Sequence, residues 1–271
     1  LKESLTTEEE ERFERYRNQR RSYSQTRQWH ECGHQFFLSR IKRVPEMRGA
    51  WLEQGVAVHA VIEAYEKSER SLTDSQARSM YQDRYSTMVN ESLARQPDPD
   101  MWFSSGPYKG LPNDIERRYL VGADQVSAYL VWSQANNDQK ILHNSVELMF
   151  VLDLDGVEVL GYIDQVVDHP KKGPGIRDVK TGQKPTEHKQ LELYGLAVNE
   201  LHDWGVEWGD YWLGKTGRLS RPVNISTERS HFVEWFAKMD AGVKAGDFLP
   251  NPGDACARCP VQLSCDYRAN A

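Results

Sequence analysis

The middle of the chain constrains its fold most. A first half with helical apolar spacing gives way to SVELMFVLDL, VEVLGYIDQVVDH and GIRDVKT. These three segments are rich in β-branched and apolar residues and read as strands. Asp155-Gly156, between the first two, is the dipeptide of a two-residue hairpin turn, because both positions accept positive φ. With Leu154 paired to Val157, Glu147 falls opposite Asp164. Val146, Leu148, Phe150 and Leu152 then share a face with Val157, Val159, Ile163 and Val167. A slip of one residue would destroy that match. A second turn centred on Lys171 places Asp164 opposite Asp178, with Lys180 on the face of Asp178. The expected result is a row of three carboxylates with an ammonium beside it.

Directly opposed like charges are destabilising. Protonation of one carboxylate would relieve the row, and so would a divalent cation, which prefers hard oxygen ligands. A surface sheet with scattered acids, some paired to Lys180, is the plainer alternative.

The flanking text supplies helices. They are expected at 8–21, at 25–40 (capped by Ser24, with Trp29, Phe36 and Phe37 inward), and at 50–67 with Val58, Ile62 and Tyr65 on one face. Thr73 and Gln76 form a capping box for a helix over 74–94. A proline-rich loop at 96–112 precedes a helix at 114–136. After the strands come a helix near 187–202, short strands at 207–213 and 218–225, and a helix at 228–245. The order predicts an α+β fold with a central mixed sheet and a helical insertion over 68–140.

A chain of 271 residues buries a full core and holds one or two domains. No apolar run approaches the ~20 residues of a membrane helix, and the first 21 residues lack the apolar stretch of a signal peptide. The expectation is a cytoplasmic globular protein. Leu1 stands where an initiator Met is usual, so that end is expected to be missing or processed. The net charge is −6, yet residues 11–43 carry nine basic and three acidic groups. That segment is either a solvated helix face or an arm contacting phosphates.

Four motifs occur in order on suitable elements. Gly55-Val56-Ala57-Val58-His59 lies on a helix, Gly161-Tyr162-Ile163-Asp164 on a strand, Asp178-Val179-Lys180-Thr181-Gly182 on the next, and Gln190-Leu191-Glu192-Leu193-Tyr194 on the following helix. Together they resemble the RecB-like branch of the PD-(D/E)XK nuclease superfamily, over residues 22–267. The helical stretch between His59 and the first strand is longer than usual there. The resemblance implies a restriction-endonuclease-like core. It implies Mg²⁺ or Mn²⁺ held by His59, Asp164, Asp178 and the Val179 carbonyl, with Lys180 orienting or activating the attacking water. It casts Gln190 and Tyr194 as organisers of the active site and the DNA strand, and Glu147 as a supporting carboxylate.

The four cysteines are Cys32, Cys256, Cys259 and Cys265, the last three in a C-x2-C-x5-C tail. In a cytosolic protein this favours metal ligation over disulfides, and spacing alone does not separate zinc from an iron–sulfur cluster. CRISPR adaptation nucleases and AddB-type nuclease domains are similar here, with one cysteine before the core and three after it. That resemblance implies a [4Fe-4S] cluster acting as a clasp. The domain expectation is one nuclease domain over 1–271, with the clasp at 22–45 and 246–267, the insertion at 68–140 and the catalytic core at 141–225.

The functional expectation is a metal-dependent DNA exonuclease acting on single-stranded DNA or DNA ends, in recombination, repair or phage DNA processing. A structure-specific endonuclease and a non-catalytic DNA-binding partner in a recombination or CRISPR integration complex are the rival readings. Trp102, Phe103 and Tyr108 in the long loop are candidates for base stacking, the alternative being that they cover the core.

Overall fold

The computed structural model describes residues 5–104, 110–225 and 228–268. Its helices are α1 (Thr7–Asn18), α2 (Tyr23–Glu31), α3 (Gly33–Phe36), α4 (Ala50–Lys67), α5 (Asp74–Arg95), α6 (Leu111–Ala135), α7 (Lys189–His202) and α8 (Arg229–Ala245). Its strands are β1 (Lys140–Leu154), β2 (Val157–His169), β3 (Gly173–Lys180), β4 (Trp208–Leu213), β5 (Arg218–Leu219) and β6 (Val223–Asn224). The sheet runs β1-β2-β3-β4-β5, with β6 also on β4. β3 and β4 are parallel, joined by the α7 crossover, and the sheet is mixed as expected. Asp155 and Gly156 both take positive φ, 54° and 89°, in the two-residue turn between β1 and β2.

The β2–β3 ladder pairs Gln165 with Arg177 and Val166 with Ile176, the register predicted from a turn on Lys171. β1 is less regular than its sequence implies. Asn144 and Glu147 adopt left-handed φ values of 58° and 52°, so strict alternation does not run through Glu147. Towards the turn the alternation holds, with Phe150, Leu152, Leu154, Val159 and Ile163 buried.

The chain divides into two units. One comprises Arg48–Met149 and Tyr162–Thr227. Its core joins α4, α5 and α6 to the sheet through Val58, Ile62, Tyr65, Tyr81, Tyr85, Val126, Tyr129, Val179 and Trp212. The helices expected as an insertion therefore supply much of that core. Behind the strands sits a polar frame. Arg177 donates two hydrogen bonds to Asp210 directly opposite on β4, at 2.8 and 2.9 Å, and lies 4.8 Å from the Trp132 ring centroid. Gln165 Nε2 donates to Tyr129 OH at 2.7 Å, and Tyr129 OH donates to Glu66 on α4 at 2.7 Å.

The other unit comprises the chain up to Met47, Phe150–Gly161 and everything from Glu228 onward. Phe36, Phe37, Ile41, Met239, Val243, Phe248 and Val261 form its core. The helix expected over 25–40 is broken. α2 is capped by Ser22, not Ser24, and ends at Cys32, whose backbone is extended (φ −163°) and whose sulfur caps α3. Gly33 allows the break, because a Cβ there would come 2.8 Å from the Leu249 amide nitrogen. A π-helical stretch, Phe37–Lys42, follows. Four arginines of the basic segment are engaged in ion pairs, two with acids of the segment itself and two with acids distant in sequence. Arg17 pairs with Glu14, Arg20 with Glu158, buried Arg21 with Asp240, and Arg27 with Glu31. Arg17, Arg20 and Arg27 are solvated, as on a solvated face, whereas Arg21 is buried. Trp102 is also a core residue, 5% exposed with its indole N–H bonded to Gln96 O. Tyr108 lies outside the described residues.

Asp210→Ala strands the Arg177 charge in the interior. Losing one partner of a buried pair costs about 3–5 kcal/mol. Urea denaturation of the variant should show a loss of that order, and an unchanged midpoint would contradict this account of the frame.

Candidate active site

Every residue of the candidate site lies in the unit of Arg48–Met149 and Tyr162–Thr227. α4 carries His59, β1 Glu147, β2 Asp164, β3 Asp178 and Lys180, and α7 Gln190 and Tyr194. One ligand atom from each of His59, Glu147 and Asp164 lies within 4.8 Å of the other two. His59 Nδ1 stands 3.6 Å from Asp164 Oδ2. The same carboxylate oxygen accepts a 2.7 Å hydrogen bond from the Val179 amide, which fixes it against β3. The kink at Glu147 breaks strand alternation but still brings that carboxylate to the cluster.

Asp178 is 2% exposed. Lys180 Nζ lies 2.7 Å from Asp178 Oδ2 as an ion pair, without the alignment of a hydrogen bond. Lys180 also donates to Gln190 Oε1 at 3.2 Å, and Gln190 Nε2 donates to Tyr194 OH at 2.7 Å. The i, i+4 spacing of Gln190 and Tyr194 puts both on one face of α7. The structure thus places the predicted residues in two linked sets. His59, Glu147 and Asp164 form the tight trio. Asp178, Lys180, Gln190 and Tyr194 form a chain beside it.

The electrostatics follow from crowding. Burial opposes charge on Asp178, and Asp164 adds like-charge repulsion, which together push its carboxyl up to about 7 against the pull of Lys180. Burial acts on Asp164 in the same sense but is outweighed by His59 and the Val179 amide, so Asp164 stays below its ordinary value. Burial disfavours the His59 cation, yet Asp164 and Asp178 raise it to about 9. Glu147 is raised by burial and by Asp164. These shifts favour the cation of His59 and oppose ionisation of Asp178. Hard oxygen donors and one imidazole suit Mg²⁺ or Mn²⁺.

Sequence reading missed the frame behind the site. Arg177, Asp210, Gln165, Tyr129 and Glu66 all brace the strands or α4. The available signal was a charge inside otherwise apolar strands, Arg177 in GIRDV and Asp210 in WGDYWL.

This geometry accords with a model of the PD-(D/E)XK nuclease superfamily that matches residues 20–266. The chain belongs to that superfamily. It is 38% identical to the Gene 69 protein of Mycobacterium phage D29, over 90% of this chain and 96% of that one. It is 33% identical to the Gene 69 protein of Mycobacterium phage L5, over 90% and 95%. A crystal structure of a candidate exonuclease from Eubacterium rectale shares the fold, with a TM-score of 0.52 and 12% identity over 99% of this chain and 96% of that one. No helix among the described residues of this superfamily member is long and apolar enough to cross a membrane.

The other unit holds a cavity of about 360 Å³ lined by all four cysteines, none of them in a disulfide. The amides of Gln35 and Asn251 each donate to Cys32 Sγ at 3.4 Å, and the Gly253 amide donates to Cys256 Sγ at 3.5 Å. Burial and the three other cysteines raise Cys259 above its ordinary value.

A divalent ion bound at Asp178 would compete with the proton of its carboxyl. Raising the pH from 6 to 8 removes the proton, so Mn²⁺ affinity should rise and proton release on binding should fall across that range. Calorimetric titration in buffers of different ionisation enthalpy measures both. In Asp178→Asn the part of this dependence due to Asp178 should vanish, and an unchanged profile would count against its raised value.

Proposed function

We propose that this chain is a metal-dependent DNA exonuclease, hydrolysing phosphodiester bonds of single-stranded DNA or DNA ends during phage DNA processing or recombination in the cytoplasm. The observation that carries the reading is the convergence of His59, Glu147 and Asp164 within 4.8 Å, with Asp178 and Lys180 alongside. His59, Asp164, Asp178 and the Val179 carbonyl would hold Mg²⁺ or Mn²⁺, with Glu147 as a further carboxylate. Bound there, the ion supplies Lewis-acid stabilisation of phosphoryl oxygens and lowers the pKa of water.

The chain's own residues do the rest. Lys180, held between Asp178 and Gln190, presents a fixed positive charge to the attacking water or the developing charge on phosphorus. Asp178 restrains that ammonium group, and Gln190 sets its direction. Tyr194 anchors Gln190 through a hydroxyl whose proton burial makes hard to lose. The Val179 amide keeps Asp164 aimed into the cluster. The exonuclease assignment also draws on the name of the Eubacterium rectale structure, and the setting on the phage relatives.

We further propose a [4Fe-4S] cluster on Cys32, Cys256, Cys259 and Cys265. A single zinc with bonds of ~2.3 Å gathers its sulfurs to about 3.8 Å apart. The cavity of about 360 Å³ lined by all four cysteines leaves room for a group larger than one ion. Backbone amides aimed at Cys32 and Cys256 suit thiolates. The group would tie the α2–α3 break to the C-terminal tail, closing a loop of over two hundred residues.

End-labelled single-stranded and duplex DNA should be degraded with Mg²⁺ or Mn²⁺, and circular single strands should stay intact. Asp164→Asn and Lys180→Ala should each lower kcat by about a hundredfold or more, the range for losing a charged group at a developing transition state. Persistent cleavage by both variants would refute the site, and cutting of circles would convert the reading to an endonuclease. The wild-type chain purified without oxygen should contain four iron and four acid-labile sulfide per chain, and Cys259→Ala should lose both.

A further inference from the structure

A second group of aromatic, cationic and apolar side chains lies in the same unit as the candidate site. Trp51 and Phe103, both half-buried, hold their ring centroids 6.1 Å apart. The Arg118 guanidinium lies 5.9 Å from the Trp51 ring centroid. Next to Trp51 on α4, Leu52 is 50% exposed and Val56 49%. At about 100° per residue, Leu52, Val56 and His59 fall within roughly 60° of arc on that helix, and Trp51 lies about 80° round from His59 on its other side. An exposed apolar strip therefore runs along α4 and ends at the histidine of the trio. On β2, half-exposed Tyr162 shares the face of Asp164, two residues away.

Buried polar contacts fasten this strip to the end of β3. Arg118 donates to Gln54 Oε1 at 2.9 Å, Gln54 Nε2 donates to Gln125 Oε1 at 2.8 Å, and Gln125 Nε2 donates to the Thr181 carbonyl at 2.9 Å. Thr181 follows Lys180 directly. Gln54 and Gln125 are 1% and 4% exposed, so the relay is internal. It fixes Trp51 and Arg118 relative to the strand that carries Asp178 and Lys180.

The chemistry of the strip selects its occupant. A duplex presents phosphates outwards, and an aromatic and apolar surface offers them nothing. Unpaired bases present π-faces that stack on Trp and Phe and pack on aliphatic side chains, with Arg supplying cation–π attraction. The strip is also continuous with a site that, on the reading above, receives a phosphodiester. We propose that Trp51, Phe103 and Arg118, with Leu52 and Val56, form a track for the bases of a DNA single strand whose backbone enters the His59–Glu147–Asp164 cluster. This rests on the nuclease reading and assigns its strand preference. Trp51 precedes His59 by eight residues, or ~12 Å along α4 at ~1.5 Å each. That length matches three or four stacked nucleotides at ~3.4 Å.

The test uses the full-length protein and fluorescein-labelled oligo(dT) of 2 to 12 nucleotides, with a blunt duplex for comparison. Binding is read by anisotropy without added divalent ion, so it is independent of cleavage. Wild-type affinity should rise with length to about four nucleotides, continue only gradually beyond that, and exceed affinity for the duplex. Trp51→Ala should raise Kd for the longer oligonucleotides about tenfold, the loss of one base–aromatic stack, and flatten the length dependence. Trp51→Phe should restore most of the affinity, and Val56→Ser should give a smaller loss in the same sense. Equal weakening of duplex and single strand by Trp51→Ala, or no weakening of either, would overturn the track. A wild-type protein that binds oligo(dT) in this pattern but cleaves nothing with Mg²⁺ or Mn²⁺ would leave the track standing and overturn the nuclease reading.

Discussion

Repulsion between buried carboxylates is the constraint around which the unit carrying the candidate site is arranged. Asp164 and Asp178 sit on adjacent strands, with Glu147 drawn into the same cluster. Like charges so close destabilise a sheet, and burial deepens the cost because water no longer screens them. Each neighbouring element offsets part of it. α4 supplies His59, β3 supplies Lys180 and the Val179 amide, and α7 supplies the glutamine that holds the lysine. A fold needing only stability would replace these acids with apolar residues. Gathered in a packed interior, they instead form a donor set of the kind a divalent cation takes.

The positions of the strands and acids were legible because two strong local signals bracket them. Asp155-Gly156 dictates a two-residue turn, and the alternation beyond it allows one register. The β2–β3 register follows the sequence expectation pair for pair at Gln165–Arg177 and Val166–Ile176. Glu147 shows where that logic stops. Its left-handed backbone comes from tertiary context, and no propensity at Val146-Glu147-Leu148 announces it. The helix across 25–40 fails for a different reason. Trp29, Phe36 and Phe37 keep a helical spacing, but the chain must turn the Cys32 sulfur toward the tail. Gly33 was the available warning, since only a residue without Cβ fits against Leu249 there.

Trp102 and the basic segment show how composition misleads about surfaces. A tryptophan in a proline-rich loop looks available for stacking, yet its ring fills the interior while Phe103, one residue on, stands beside Trp51. The arginines of the N-terminal helices look like a phosphate-binding arm until their partners are counted in. Glu14, Glu158, Asp240 and Glu31 take up four of them. Charge totals over a segment do not reveal which acidic groups arrive from distant sequence.

β3 shows why so much of the site is encoded in so few residues. Ile176, Asp178 and Lys180 point to one face, and Arg177 and Val179 to the other. Ile176 fills the core, Asp178 and Lys180 enter the site, and Arg177 locks onto Asp210. Val179 packs in the core through its side chain and holds Asp164 through its amide. The parallel pairing of this strand with β4 requires the α7 crossover, and that crossover delivers Gln190 and Tyr194 to the lysine. A strand whose successive residues each meet a separate demand cannot shift register without losing the core, the frame and the site together. The acid–x–lysine spacing is thus a consequence of β geometry: alternate residues on one strand share a face, and the residue between them is free to carry the amide that positions the acid on the neighbouring strand.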